Sequence, residues 1–150
     1  MTIFDIHPPR PDEYSAMYYQ RWLVLREPLG MPLGSEQDRF DEQPVQHNCH
    51  YAIATTEDMI VGSARLRPIK SEVASIAYVA VLPEFSRRGI GTKLIEHCCD
   101  TARQNQWHTI CIRSRTSAQD FYTKLGFKAT TKPFTFMEIP HIDMQLRTFL

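Results

Sequence analysis

Residues 87–92 read Arg-Arg-Gly-Ile-Gly-Thr, two fixed cations directly ahead of two closely spaced glycines. Placed where a helix begins, such a run suits an anion. The first helical N–H groups have no partners within the helix, and the helix dipole favours negative charge there. Glycine lets backbone approach a phosphate without an intervening Cβ. Arg87 and Arg88 add positive charge beside it. Two nucleotide motifs are excluded. No third glycine stands at the dinucleotide-fingerprint offset, and no Gly-Lys-Ser/Thr follows at Walker spacing. By itself Gly-x-Gly does not choose between a phosphate site and a tight structural turn.

Metal and thiol chemistry are not supported. His47 and Cys49 share an expected strand face and His50 sits opposite, while Glu96, His97, Cys98 and Cys99 are consecutive on a helix and splay apart. No cluster has ligand spacing, so no metal is expected. Cys49, Cys98, Cys99 and Cys111 form no Cys-x-x-Cys pair and read as reduced, mostly buried thiols.

The elements that position the glycine turn follow from periodicity. Ala74 to Leu82 is an apolar, β-branched strand that Pro83 ends. A helix from Gly89 to about Asn105 carries Ile90, Leu94, Ile95, Cys98 and Ala102 on one side. Thr109 to Arg113 is the next strand. Together they make a right-handed βαβ unit, with the turn at the carboxyl end of its first strand. Upstream, Thr2 to His7 reads as a strand, Glu13 to about Arg26 as a helix, and a short helix is expected near Glu36 to Phe40. His47 to Thr56 and Ile60 to Leu66 pair antiparallel around a turn at 55–59, the second ending at Arg67-Pro68. Downstream, Thr116 or Ser117 caps a short helix with Gly126 at its C-cap. Phe127 to Thr131 and Phe136 to Leu146 read as final strands.

At 150 residues the chain is expected to be one domain. Lys plus Arg and Asp plus Glu number 17 each, so no global field favours nucleic acid or an anionic membrane. No apolar run approaches a membrane span, and Met1 to Pro11 is not read as a signal peptide. The expected location is cytoplasmic.

The run Val79 to Leu94, VAVLPEFSRRGIGTKL, resembles motif A of the GNAT superfamily of N-acetyltransferases. Ala118, 27 residues after Gly91, opens AQDFYTKLGF, which resembles that superfamily's AxxFYxxLGF segment. The stretches Arg21 to Arg26, Pro28 to Gly30 and Glu138 to Met144 resemble a family subgroup. The resemblance implies an α+β fold: a mixed, twisted sheet of six to seven strands flanked by helices. It implies acetyl-CoA as cosubstrate and direct attack by an amine in a ternary complex. Backbone N–H groups of Arg87, Arg88, Gly89, Ile90, Gly91 and Thr92 would hold the pyrophosphate. Val79 and Val81 would pair with the pantetheine arm as an added strand does. Tyr122 would be the general acid that protonates the leaving thiolate. Without the resemblance, Tyr122 reads as a core aromatic.

One position departs from the pattern. The family usually has Gln or Arg three residues before the first glycine, and Ser86 stands there, with Arg87 or Arg88 to compensate. The general base is open. Ser75, Ala77, Tyr78 and Ala80 on the preceding strand are not bases, and Glu84 reads as a solvated loop residue. Glu27, Glu138 and His141 are candidates by location. Arg115 either contacts the cosubstrate or faces solvent. The acceptor is a small-molecule or peptide amine of unknown identity, with no nucleic-acid or membrane partner expected and homodimerisation left open. The rival readings are a non-catalytic acyl-CoA-binding module and a binder of another nucleotide phosphate.

Overall fold

The computed structural model describes residues 3–148; Thr2, where the first strand was expected to start, lies outside them. Eight strands form one mixed sheet: β1 (Asp5–His7), β2 (His50–Thr56), β3 (Met59–Lys70), β4 (Val73–Val81), β5 (Thr109–Arg115), β6 (Lys128–Ala129), β7 (Phe134–Phe136) and β8 (Ile139–Arg147). Their order is β1-β2-β3-β4-β5-β8-β6, with β7 also on β8. Four helices accompany it: α1 (Tyr14–Leu25), α2 (Arg39–Glu42), α3 (Ile90–Gln104) and α4 (Gln119–Lys124).

The expected βαβ unit is present. β4 and β5 are parallel, joined through α3, and every other pair is antiparallel. One face of the sheet packs under α3, where Leu66, Ile76, Ile110, Ile112, Ile142 and Met144 meet Ile90, Leu94 and Cys98 in the main core. The helix lies close against β3: a Cβ on Gly62 would sit 3.0 Å from Ile90 and 3.1 Å from Leu94. The opposite face packs under α1, through Met17, Tyr51 and Ile53.

Several boundaries differ from the sequence reading. β3 runs through Pro68 to Lys70 because β2 ends at His50, opposite Leu66. Beyond that point β3 has a neighbour on one side only, where a proline nitrogen is tolerated. His47 and Cys49 both lie outside β2, so they share no strand face. The short helix is Arg39–Glu42, capped by Asp38, whose carboxylate accepts from the Phe40 and Asp41 amides. The long final strand is two: Met137 and Glu138, at φ of 54° and 62°, make a two-residue turn between Phe136 and Ile139. Met-Glu carries no turn signature, so the hairpin was invisible in the sequence. Phe127 packs in the core ahead of β6 rather than within it. Gly126, at φ +101°, follows α4 one residue beyond its cap at Leu125.

Candidate active site

The parallel pairing of β4 with β5 stops at Ile76 opposite Ile112. Beyond it the two strands part, and among the described residues the β5-facing edge of β4 from Ala77 to Val81 has no strand partner. β4 also carries an extra residue against β3: Ser63 faces Ala80, whereas Arg65 faces Ala77. This bulge holds Tyr78 at φ +57°, a left-handed conformation costing on the order of 1–2 kcal/mol for a non-glycine residue. Packing offsets that cost. The ring is flanked by the guanidinium groups of Arg21 at 4.1 Å and Arg65 at 4.9 Å. The hydroxyl donates to Asp38 at 3.0 Å.

The split opens a cavity of about 680 Å³. Its lining draws on both faces of the sheet. Ile76, Ile112, Met144 and Tyr122 come from the α3 side, and Asp38, Phe40 and Arg65 from the α1 side. Alternation along β8 explains the reach. Ile142 and Met144 join the α3-side core, so His141 and Asp143 point to the other face.

At the carboxyl end of β4, Pro83 to Phe85 form a turn of 3₁₀ helix that leads to α3. Gly89 is the N-cap at φ +80°, and Arg87 is also left-handed at φ +62°. The amides of Phe85, Ser86 and Lys93 donate to Leu82, Pro83 and Gly89. Those of Arg87, Gly89, Ile90, Gly91 and Thr92 donate to no backbone carbonyl among the described residues. The turn is exposed from Pro83 to Gly89 apart from half-buried Phe85. A row of unmet donors at the start of a fifteen-residue helix fits a phosphate. The Ser86 hydroxyl bonds the Pro83 carbonyl at 2.9 Å, so its donor is spent inside the turn.

Tyr122 is buried between Phe121 and Phe127, 4.9 and 5.6 Å from their rings, and lines the cavity. Burial, with Cys98 nearby, raises its phenol well above the ordinary tyrosine value. It is therefore protonated at neutral pH and able to donate. His141, also buried, reaches the cavity from the opposite face. Its Nδ1 lies 2.7 Å from the Ile139 carbonyl. A carbonyl only accepts, so Nδ1 carries the hydrogen and Nε2 of the neutral ring is the basic nitrogen. Glu27, Glu84 and Glu138 are exposed and outside the cavity wall. Arg115 lines it, half-buried, opposite His141.

The sequence reading missed the α1-side charge network. Arg21 donates to Asp41 at 2.9 Å with both side chains buried, and Arg65 donates to Asp38 at 2.6 Å and lies 3.2 Å from Asp41. Tyr51 donates to the other Asp41 oxygen at 2.6 Å. Breaking such a buried pair costs about 3–5 kcal/mol, because the survivor is left charged and unpaired. The available signal was Arg65-x-Arg67 at alternate positions of an apolar strand, since arginine is almost never buried unpaired. Among the described residues no group of three or more His, Cys, Asp or Glu side chains is placed to hold a metal, and no helix is long and apolar enough to cross a membrane.

The chain is similar to known proteins in sequence and in fold. Residues 34–148 match the family described as Acetyltransferase (GNAT) domain. A provisionally named acetyltransferase of Bacillus subtilis (strain 168) is 26% identical over 124 residues, covering 83% of this chain and 82% of its own. A provisionally named N-acetyltransferase from Lactobacillus plantarum superimposes with a TM-score of 0.86 at 24% identity, over 97% of this chain and 99% of that one. An aminoglycoside 6'-N-acetyltransferase complexed with coenzyme A superimposes with a TM-score of 0.79 at 15% identity, over 97% and 98%. At these identities the structural likenesses show the fold.

Proposed function

Since the chain belongs to the GNAT acetyltransferase family and is an N-acetyltransferase, we propose that it uses acetyl-CoA and acetylates an amine by direct attack in a ternary complex. The observation that carries this reading is the cavity through the β4/β5 split, which Tyr122 and His141 line from opposite faces of the sheet.

The unmet amides of Arg87 and of Gly89 to Thr92 bind the pyrophosphate, with that of Arg88 between them. The free edge of β4, at Val79 and Val81, pairs with the pantetheine arm as an added strand. That arm leads the thioester into the split, and acetyl-CoA supplies the activated acyl group. The acceptor enters from the α1 side. His141 Nε2 takes a proton from the ammonium, directly or through water, so that a neutral amine attacks. A β4 amide polarises the thioester carbonyl as the oxyanion develops. Tyr122 gives its proton to the departing thiolate. Ordinary values of about 10 for a phenol and about 8.5 for a thiol leave that transfer uphill, and the raised phenol of Tyr122 steepens it. The attacking nitrogen sheds its second proton to water as the tetrahedral intermediate collapses to the amide, and re-protonation of the phenolate from solvent completes the transfer.

Release of free CoA from acetyl-CoA across a panel of amines tests the reading. Amine-dependent release is expected. Tight acetyl-CoA binding with no release from any amine would favour the binding-module alternative. Binding of ATP or NAD in place of CoA would overturn the cosubstrate.

A further inference from the structure

The α1-side wall of the cavity is unevenly charged. Arg26, Arg65, Arg67, Arg113 and Arg115 reach the cavity, against Asp38 and Asp143. The chain as a whole is neutral, so the excess is local. Arg65 is neutralised by Asp38 and Asp41, and Arg113 is bound bidentately by Asp143 at 2.8 and 3.1 Å. Arg26 donates to the carbonyls of Ser35 and Leu25.

Arg67 differs from these. Its guanidinium lies 3.4 Å from the centre of the Phe40 ring. Among the described residues its one side-chain hydrogen bond goes to the carbonyl of the next residue, Pro68, at 3.2 Å. Its Nε is buried without a partner, as is that of Arg65, and among the described residues neither Arg67 nor Arg26 nor Arg115 forms an ion pair with a carboxylate; Arg67 alone of these three is stacked on the Phe40 ring. A half-buried planar cation with no carboxylate partner among the described residues, stacked on an aromatic ring in a cavity wall, matches a carboxylate, which accepts two parallel N–H bonds.

The cosubstrate phosphates are not that anion. Arg67 pairs with Ser75, six residues before Val81 on β4. At about 3.3 Å per residue, that is roughly 20 Å from the glycine turn. Arg67 also shares the α1 side with His141, the side from which the acceptor enters. Resting on the acetyltransferase reading, we infer that the acceptor is an amine that also bears a carboxylate, and that Arg67, held flat by Phe40, binds this carboxylate.

The experiment compares amino acids with their decarboxylated counterparts: lysine with cadaverine, ornithine with putrescine, phenylalanine with phenethylamine. For at least one pair, kcat/KM for the acid exceeds that of the amine tenfold or more. Arg67→Gln lowers this ratio at least tenfold, and Arg67→Lys retains more of it. A ratio is unaffected by the fraction of variant that folds, because both members lose equally. Parity or preference for the decarboxylated amines throughout, or a ratio unchanged in Arg67→Gln, overturns the inference. If no amine releases CoA, the catalytic reading has failed and calorimetry on the CoA-loaded protein decides this one. Tenfold tighter binding of an acid than of its amine, lost in Arg67→Gln, supports it; equal binding or none overturns it.

Discussion

The Tyr78 hydroxyl donates to Asp38 Oδ2 at 3.0 Å, joining the bulge of β4 to the cap of α2. The strand proposed to receive the cosubstrate and the segment that walls the acceptor side are thus fastened to each other. Arg65 completes the junction through the other Asp38 oxygen.

That junction is acid-sensitive. Burial alone would raise the Asp38 carboxyl, but the hydrogen bond and charge of Arg65, with Tyr78 and the Asp41 amide, outweigh it and hold it well below the usual range. Its folded-state value lies under the unfolded value of about 3.9. Its stabilising contribution is therefore complete above the unfolded value and lost as pH falls through about 4 toward the folded one. Urea midpoints measured from pH 6 down to pH 2 are expected to fall less steeply in Asp38→Asn than in the native chain.

Tyr122→Phe removes the proposed acid and keeps the ring packing of Phe121 and Phe127. General acid catalysis contributes typically 10²–10⁴-fold, so kcat is expected to fall by about 10²-fold or more. The acetyl-CoA dissociation constant, read by calorimetry, should change little. An unchanged kcat would remove Tyr122 from the mechanism.

His141→Gln tests the proposed base by its pH dependence. A base is needed because the amine is mostly protonated at neutral pH, and that need declines as the solution supplies free amine. The native-to-variant ratio of kcat/KM is expected to be about 10²-fold at pH 7 and to shrink toward pH 10. A ratio constant with pH would indicate a structural role.

Gly89 and Gly34 allow a matched comparison. Both have left-handed φ, +80° and +99°, and a Cβ on either would meet nothing within 4 Å. Alanine at either position therefore costs a similar amount, about 1–2 kcal/mol, through backbone conformation alone. Only Gly89→Ala turns the amides proposed for the pyrophosphate, so it alone should weaken acetyl-CoA binding, by tenfold or more in calorimetry.

The thiols should stay silent in a thiol-release assay. Burial pushes Cys98 up to about 12 and Cys99 up to about 11, and it raises Cys49 and Cys111 as well. The thiolate is the reactive form. Native protein at pH 8 is expected to react slowly with an aromatic disulfide reagent, and unfolded protein to yield all four thiols promptly.

The strand–turn–helix from Val73 to Gln104 was legible in the sequence almost to its ends. Each of its parts is set locally, by an apolar run, a proline, two glycines and a 3.6-residue repeat. The same holds for Tyr122, whose helix sits between a turn and a glycine. The hairpin at Met137-Glu138 was not legible, because its left-handed residues are imposed by strand pairing and not by their own preference. Asp38, Arg65 and Arg67 were passed over for a related reason: an arginine's worth depends on which carboxylate the fold brings to it.

By itself, then, the sequence determined a glycine turn at a helix start and a later short helix carrying Tyr122; the family resemblance, not the spacing, made them candidates for one site. Tertiary structure decided that β4 and β5 part after Ile76 and Ile112, that His141 rather than Glu27 or Glu138 lines the resulting cavity, and that Arg67 meets no carboxylate among the described residues. Side-chain alternation tells which residues share a face. Only long-range pairing tells which strand ends separate, and which charges find partners there.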